Sequence, residues 1–82
     1  MKLLELVYDQ EKVVINVDHI IVIRENKVER IDTTKSEIKK ETVKEIEITL
    51  TNQTSYMIHV TDDFSIRKLF KSDDDVVVLK DI

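Results

Sequence analysis

The chain has no glycine, no proline, no cysteine, no tryptophan and no alanine. Without glycine, neither a phosphate-cradling P-loop nor a dinucleotide fingerprint can form, because both need backbone positions where a Cβ would collide with phosphate or helix. The same lack rules out Gly-x-Ser-x-Gly, so Ser36, Ser55, Ser65 and Ser72 have no nucleophile-elbow context and a hydrolase is not expected. Without cysteine there is no disulfide framework, no thiolate nucleophile and no zinc-thiolate site, a composition that suits a reducing compartment and an expected cytoplasmic location. Aromatic residues make up 5% of the chain. Tyr8, Tyr56, Phe64 and Phe70 are too few to build a base-stacking platform and are expected in the core. No apolar run approaches the length of a membrane span. Lys2 and Glu5 interrupt the opening Met1–Glu5 stretch, so no secretory h-region is expected there.

What is present points to sheet. Val and Ile each occur eleven times, and β-branched side chains lose rotamer freedom in a helix but pack well on a pleated surface. The 82 residues, 41% apolar and 37% charged, describe one small domain over 1–82. A chain of this size hides only about 60% of its unfolded surface on folding, so self-association is expected, most simply a dimer. The net charge of −4 and pI near 5.1 oppose non-specific binding to nucleic acid, whose affinity comes from neutralising phosphates. They permit a basic protein partner.

Along the chain, Leu3–Tyr8 and Val13–Val17 read as strands joined by the polar loop Asp9–Lys12. Asn16–His19 offers a turn, and Ile20–Ile23 is a continuous apolar run, expected at the sheet centre with both faces covered. Residues 24–45 hold seven cations and six anions. They are expected as a charged insertion: a two-stranded extension with cross-strand ion pairs, a mobile segment, or a short helix from Ser36. Ile46, Ile48 and Leu50 then alternate with polar residues, as do Tyr56, Ile58 and Val60, so residues 46–60 predict a hairpin through a turn at Asn52–Thr54. With tight turns closed to glycine, Asn or Asp is expected wherever φ is positive. Ile66, Leu69 and Phe70 stand at helical spacing behind a cap at Thr61, Asp62 or Asp63. Asp73-Asp74-Asp75 closes that helix. Val76-Val77-Val78-Leu79 is a last strand without alternation, either buried or awaiting a partner.

No catalytic residue, metal ligand or cofactor-binding residue is assigned from these patterns, and no cofactor is expected. His19 beside Asp18, and His59 near Asp62 and Asp63, belong to no ligand-spaced set and are expected in turns or at the surface. The Asp73–Asp75 run lacks the glycine and the downstream bidentate Glu of an EF-hand and is read as a solvated turn. It could also supply an acidic contact to a basic partner. Val76, Val77, Val78 and Leu79 are the expected interface, because an exposed apolar strand recruits another.

Asn16-Val17-Asp18-His19-Ile20, the apolar strand after it, Ile48-Thr49-Leu50-Thr51-Asn52, then Tyr56 and Asp62 leading into the helix together resemble the small FlbD family of flagellar accessory proteins over about residues 13–70. Departures are Val17 and Asn52-Gln53, where that family shows Asn-Pro-Asp and Asn-Gly, the insertion at 24–45, and the added Asp-rich turn and closing strand. The resemblance implies a β-rich fold and an accessory role, and it carries over no catalytic residue.

The expected fold is α+β: mostly antiparallel sheet with one helix packed on it, the sheet either open or curled into a small barrel. The expected function is a non-enzymatic protein-binding module that self-associates and also binds a second protein in an accessory or regulatory role. The alternative is a phage-type inhibitor of a host defence enzyme, acting by acidic occlusion or by nucleotide sequestration.

Overall fold

A computed structural model describes residues 2–32 and 39–82. The helix considered from Ser36 begins outside the described residues. The chain runs β1 (Leu3–Val7), β2 (Lys12–Asn16), a 3-10 turn (Val17–His19), β3 (Ile20–Asp32), β4 (Lys39–Leu50), β5 (Ser55–Thr61), α1 (Ile66–Phe70) and β6 (Val76–Lys80). The described residues are mostly antiparallel sheet with one short helix.

The connections follow from local chemistry. The β1–β2 loop is held by Tyr8 N–H donating to the Glu11 carbonyl at 2.9 Å. After β2, Asn16 Oδ1 accepts from Asp18 N–H at 3.0 Å, an Asx turn that starts the 3-10 segment. Between β4 and β5, Gln53 adopts φ 69°, the left-handed region that favours glycine. The expectation of Asn or Asp at such a position is corrected here. Asn52 instead spends its side chain accepting from Thr54 N–H at 3.0 Å, and the next residue takes the strain. Ser65 caps α1 without a side-chain bond, so the cap expected at Thr61–Asp63 is also corrected. Those residues form a preceding turn, with Phe64 N–H on the Thr61 carbonyl at 3.1 Å. Two lysines hold the short helix instead. Lys44 Nζ donates to the Phe64 carbonyl at 2.7 Å, and Lys2 Nζ donates to the carbonyls of Phe70 and Ser72 where the helix dipole favours a cation.

The strands form two three-stranded sheets, ordered β2-β1-β6 and β3-β4-β5. β1 pairs antiparallel with β2 but parallel with β6, Leu3 facing Val76 and Leu6 facing Leu79. Among the described residues the sheets do not close into a barrel. Their apolar faces pack together, Leu4, Leu6, Ile15, Val77 and Leu79 against Ile46, Ile48, Ile58 and Val60, with Ile66 of α1 completing the cluster. Leu69 and Phe70 pack on it half-buried. Alternation is hidden in β6 because every residue from 76 to 79 is apolar; the pleat nonetheless buries Val77 and Leu79 and turns Val76 and Val78 outward.

The expectation that Ile20–Ile23 lies at a sheet centre is corrected: β3 is an edge strand paired only with β4 among the described residues. Ile21, 58% exposed, sits at the irregularity between Ile20 and Val22. Beyond Val28–Val43 the β3–β4 ladder continues past the end of β5 as a two-stranded ribbon, Arg30 facing Glu41. Lys27 faces Lys44 in that ladder, a repulsive pairing. Each lysine is diverted: Lys27 reaches Asp62 at 3.3 Å while Lys44 holds the Phe64 carbonyl.

Candidate functional site

A set of titratable side chains gathers at the outer edge of β5, where the two sheets meet. Antiparallel pairing sets Glu45 opposite His59, and Nε2 of the imidazole lies 3.4 Å from Glu45 Oε1. On the other side of the ring, Nδ1 lies 3.6 Å from Asp81 Oδ1. The same Asp81 oxygen accepts from His59 N–H at 2.7 Å, and Ile82 N–H donates to the His59 carbonyl at 3.1 Å. Two residues back along β5, Tyr8 Oη donates to the Met57 carbonyl at 2.9 Å. Residues from the first sheet thus consume the backbone groups along the edge of the second. Burial pushes the Tyr8 phenol above its ordinary range, and the nearby Asp81, Glu11 and Tyr56 add to this.

Beside this seam lies an open cleft of about 300 Å³ lined by Val28, Arg30, Val43, Glu45, His59 and Ile82. Arg30 Nη1 donates to the Ile82 carbonyl at 3.3 Å. Both ring nitrogens of His59 face protein carboxylates, and those carboxylates stand on opposite sides of the ring rather than converging on one point. Among the described residues no group of three or more His, Cys, Asp or Glu is placed to hold a metal ion.

His19 is exposed, and its carbonyl accepts from Thr51 N–H at 2.8 Å. Asp62 and Asp63 do not reach His59. Asp62 pairs with Lys27, and the Thr61 hydroxyl, then its own backbone N–H, hold the Asp63 carboxyl below its usual range. Asp73, Asp74 and Asp75 are exposed in the turn before β6, where Ser72 Oγ donates to Asp74 Oδ2 at 2.9 Å and the Asp75 carbonyl accepts from Leu3 N–H at 2.8 Å. Sequence neighbours misdirect at His59 because a strand brings cross-strand residues together. Once Ile46 faces Ile58, Glu45 must face His59. Asp81 gives no comparable signal.

The second feature is apolar. On the outward face of the β2–β1–β6 sheet, Val14, Glu5 and Val78 form one row across three strands; Asn16, Leu3 and Val76 form the next, and Lys12, Val7 and Lys80 the third. Lys12 Nζ lies 3.7 Å from Glu5 Oε1. The expected interface strand is therefore divided, Val76 and Val78 on this face and Val77 and Leu79 in the core. No helix among the described residues is long and apolar enough to cross a membrane. No family model, curated protein or solved structure matches this chain.

Proposed function

We propose that the chain is a non-enzymatic protein-binding module that also self-associates and serves an accessory or regulatory role. The outward face of the first sheet carries this reading. Val14, Val76 and Val78 are 51%, 43% and 49% exposed. A single exposed valine needs no explanation, but several in adjoining rows, with lysines at one border, make the kind of rimmed patch that marks a contact surface. Glu5 at its middle and Lys12 and Lys80 at its rim would fix the orientation of a partner more than its affinity. The non-enzymatic part is supported by His59, whose ring nitrogens both face carboxylates of the protein itself. The resemblance to FlbD proteins fits an accessory role.

Affinity capture from extracts of the cells that encode the protein tests the reading. Wild type should retain at least one protein that a Val14→Lys/Val78→Lys variant of unchanged circular dichroism releases. Identical retention by both would remove the valine face from the account.

A further inference from the structure

The edges of the two sheets are not equally protected. β2 and β6 are five residues each, and the β5 edge is covered by Tyr8, Asp81 and Ile82. β3 runs thirteen residues, and among the described residues no strand lies on its outer side. A long bare edge is a template for another strand. Resting on the self-association proposed above, we infer that β3 pairs antiparallel with β3 of a second copy about a two-fold axis at Asn26, joining two three-stranded sheets into one.

The register follows from symmetry and charge. A two-fold axis normal to the sheet requires one residue to face its own copy. Centring on Arg24, Glu25 or Lys27 puts like charges face to face, and centring on Lys27 also opposes Glu25 to Glu29 and Arg24 to Arg30. Centring on Asn26 sets Glu25 of each copy opposite Lys27 of the other and creates no like-charge pair from Ile20 to Asp32. Asn26 is also the midpoint of β3, so this register overlaps the whole strand. It brings Ile21 of one copy beside Ile31 of the other, two side chains each 58% exposed in the single chain. Centring on Val28 is free of like charges too, but leaves Ile21 and Val22 outside the overlap. Arg24 opposite Val28, and Arg30 opposite Val22, can lay their aliphatic stems on the valines. The valine face of the first sheet remains open for a different protein.

The test uses the full chain, whose lack of cysteine makes a single introduced thiol unambiguous. Wild type should sediment as a dimer at high micromolar concentration. Under mild oxidation, Asn26→Cys should form a cross-linked dimer, since facing Cβ atoms of paired strands approach disulfide distance. Arg24→Cys and Thr51→Cys should not. Glu25→Lys and Lys27→Glu should each weaken association about tenfold and the double exchange should restore it, while Asp62→Asn, which removes only the internal partner of Lys27, should leave it unchanged. A dimer in which Asn26→Cys cross-links no faster than Thr51→Cys, or which ignores the charge changes, would overturn the β3 contact and leave self-association standing at another surface. A wild type that remains monomeric would overturn both.

Discussion

The two edges of the β3-β4-β5 sheet have met opposite fates. At β5, a tyrosine hydroxyl, an aspartate carboxylate and a backbone amide from the first sheet occupy Met57 and His59. At β3 the described residues offer nothing comparable, and the strand instead carries alternating charges over a length that no strand of the first sheet approaches. The difference separates two ways of managing an edge: consuming its hydrogen-bonding groups internally, or leaving them for a partner whose charges must match. The first holds the two sheets together. The second leaves a surface with a built-in register.

The contrast can be broken from within the core. Ile48 is fully buried and belongs to the central strand that both edges share. Ile48→Ala should cost about 2–5 kcal/mol in denaturant unfolding and weaken both edges alike. Leu69→Ala, at a half-buried helix position, should cost less.

Opening β5 sharpens the comparison. Asp81→Ala removes the acceptor for His59 N–H and should cost about 1–2 kcal/mol, with Asp81→Asn recovering part of it. Loss of amide protection confined to β5, read by hydrogen exchange, would show that the clasp alone closes that edge; unchanged protection would show that it does not.

A smaller change is expected at Tyr8. Tyr8→Phe should cost about 0.5–1.5 kcal/mol through the lost bond to Met57. The phenol ionises above its ordinary value of 10.0 in the fold, so in the alkaline range the folded chain binds more protons than the unfolded one. Stability should therefore fall as pH rises from about 10 upward, and below that this group, protonated in both states, keeps its full contribution and adds no pH dependence. Tyr8→Phe should flatten that alkaline slope in a pH series of unfolding curves; an unaltered slope would assign it to other groups.

The smallest effect concerns the turn that sets the β4–β5 register. Gln53→Gly relieves the left-handed backbone and should stabilise by at most about 1 kcal/mol, the gain being offset by the greater freedom of glycine in the unfolded chain. A loss of stability would mean that the Gln53 side chain holds the turn.

Much of this arrangement was legible in the sequence. The alternation of Ile46, Ile48 and Leu50 with that of Tyr56, Ile58 and Val60 defines a hairpin, because a two-residue period with one buried face fixes both strand and register. Ile66, Leu69 and Phe70 mark the helix for the same kind of reason. Ile20–Ile23 misled because apolar continuity signals burial on two faces, whereas β3 has β4 as its one neighbour among the described residues and Ile21 sits exposed at an irregularity. The parallel β1–β6 pairing joins strands separated by almost the whole chain, and nothing local to Leu3–Val7 or Val76–Lys80 encodes it. Asp81 reaches His59 only through that pairing. The polar cluster around His59 was therefore half readable, Glu45 from cross-strand register and Asp81 not at all.

Hydrogen exchange followed by mass spectrometry across a concentration series tests the difference between the edges most directly. Peptides covering β3 should gain protection as concentration rises from low to high micromolar, while those covering β5 should be protected equally at every concentration. Protection that rises instead in β6, or β3 peptides that exchange at one rate throughout, would contradict the account.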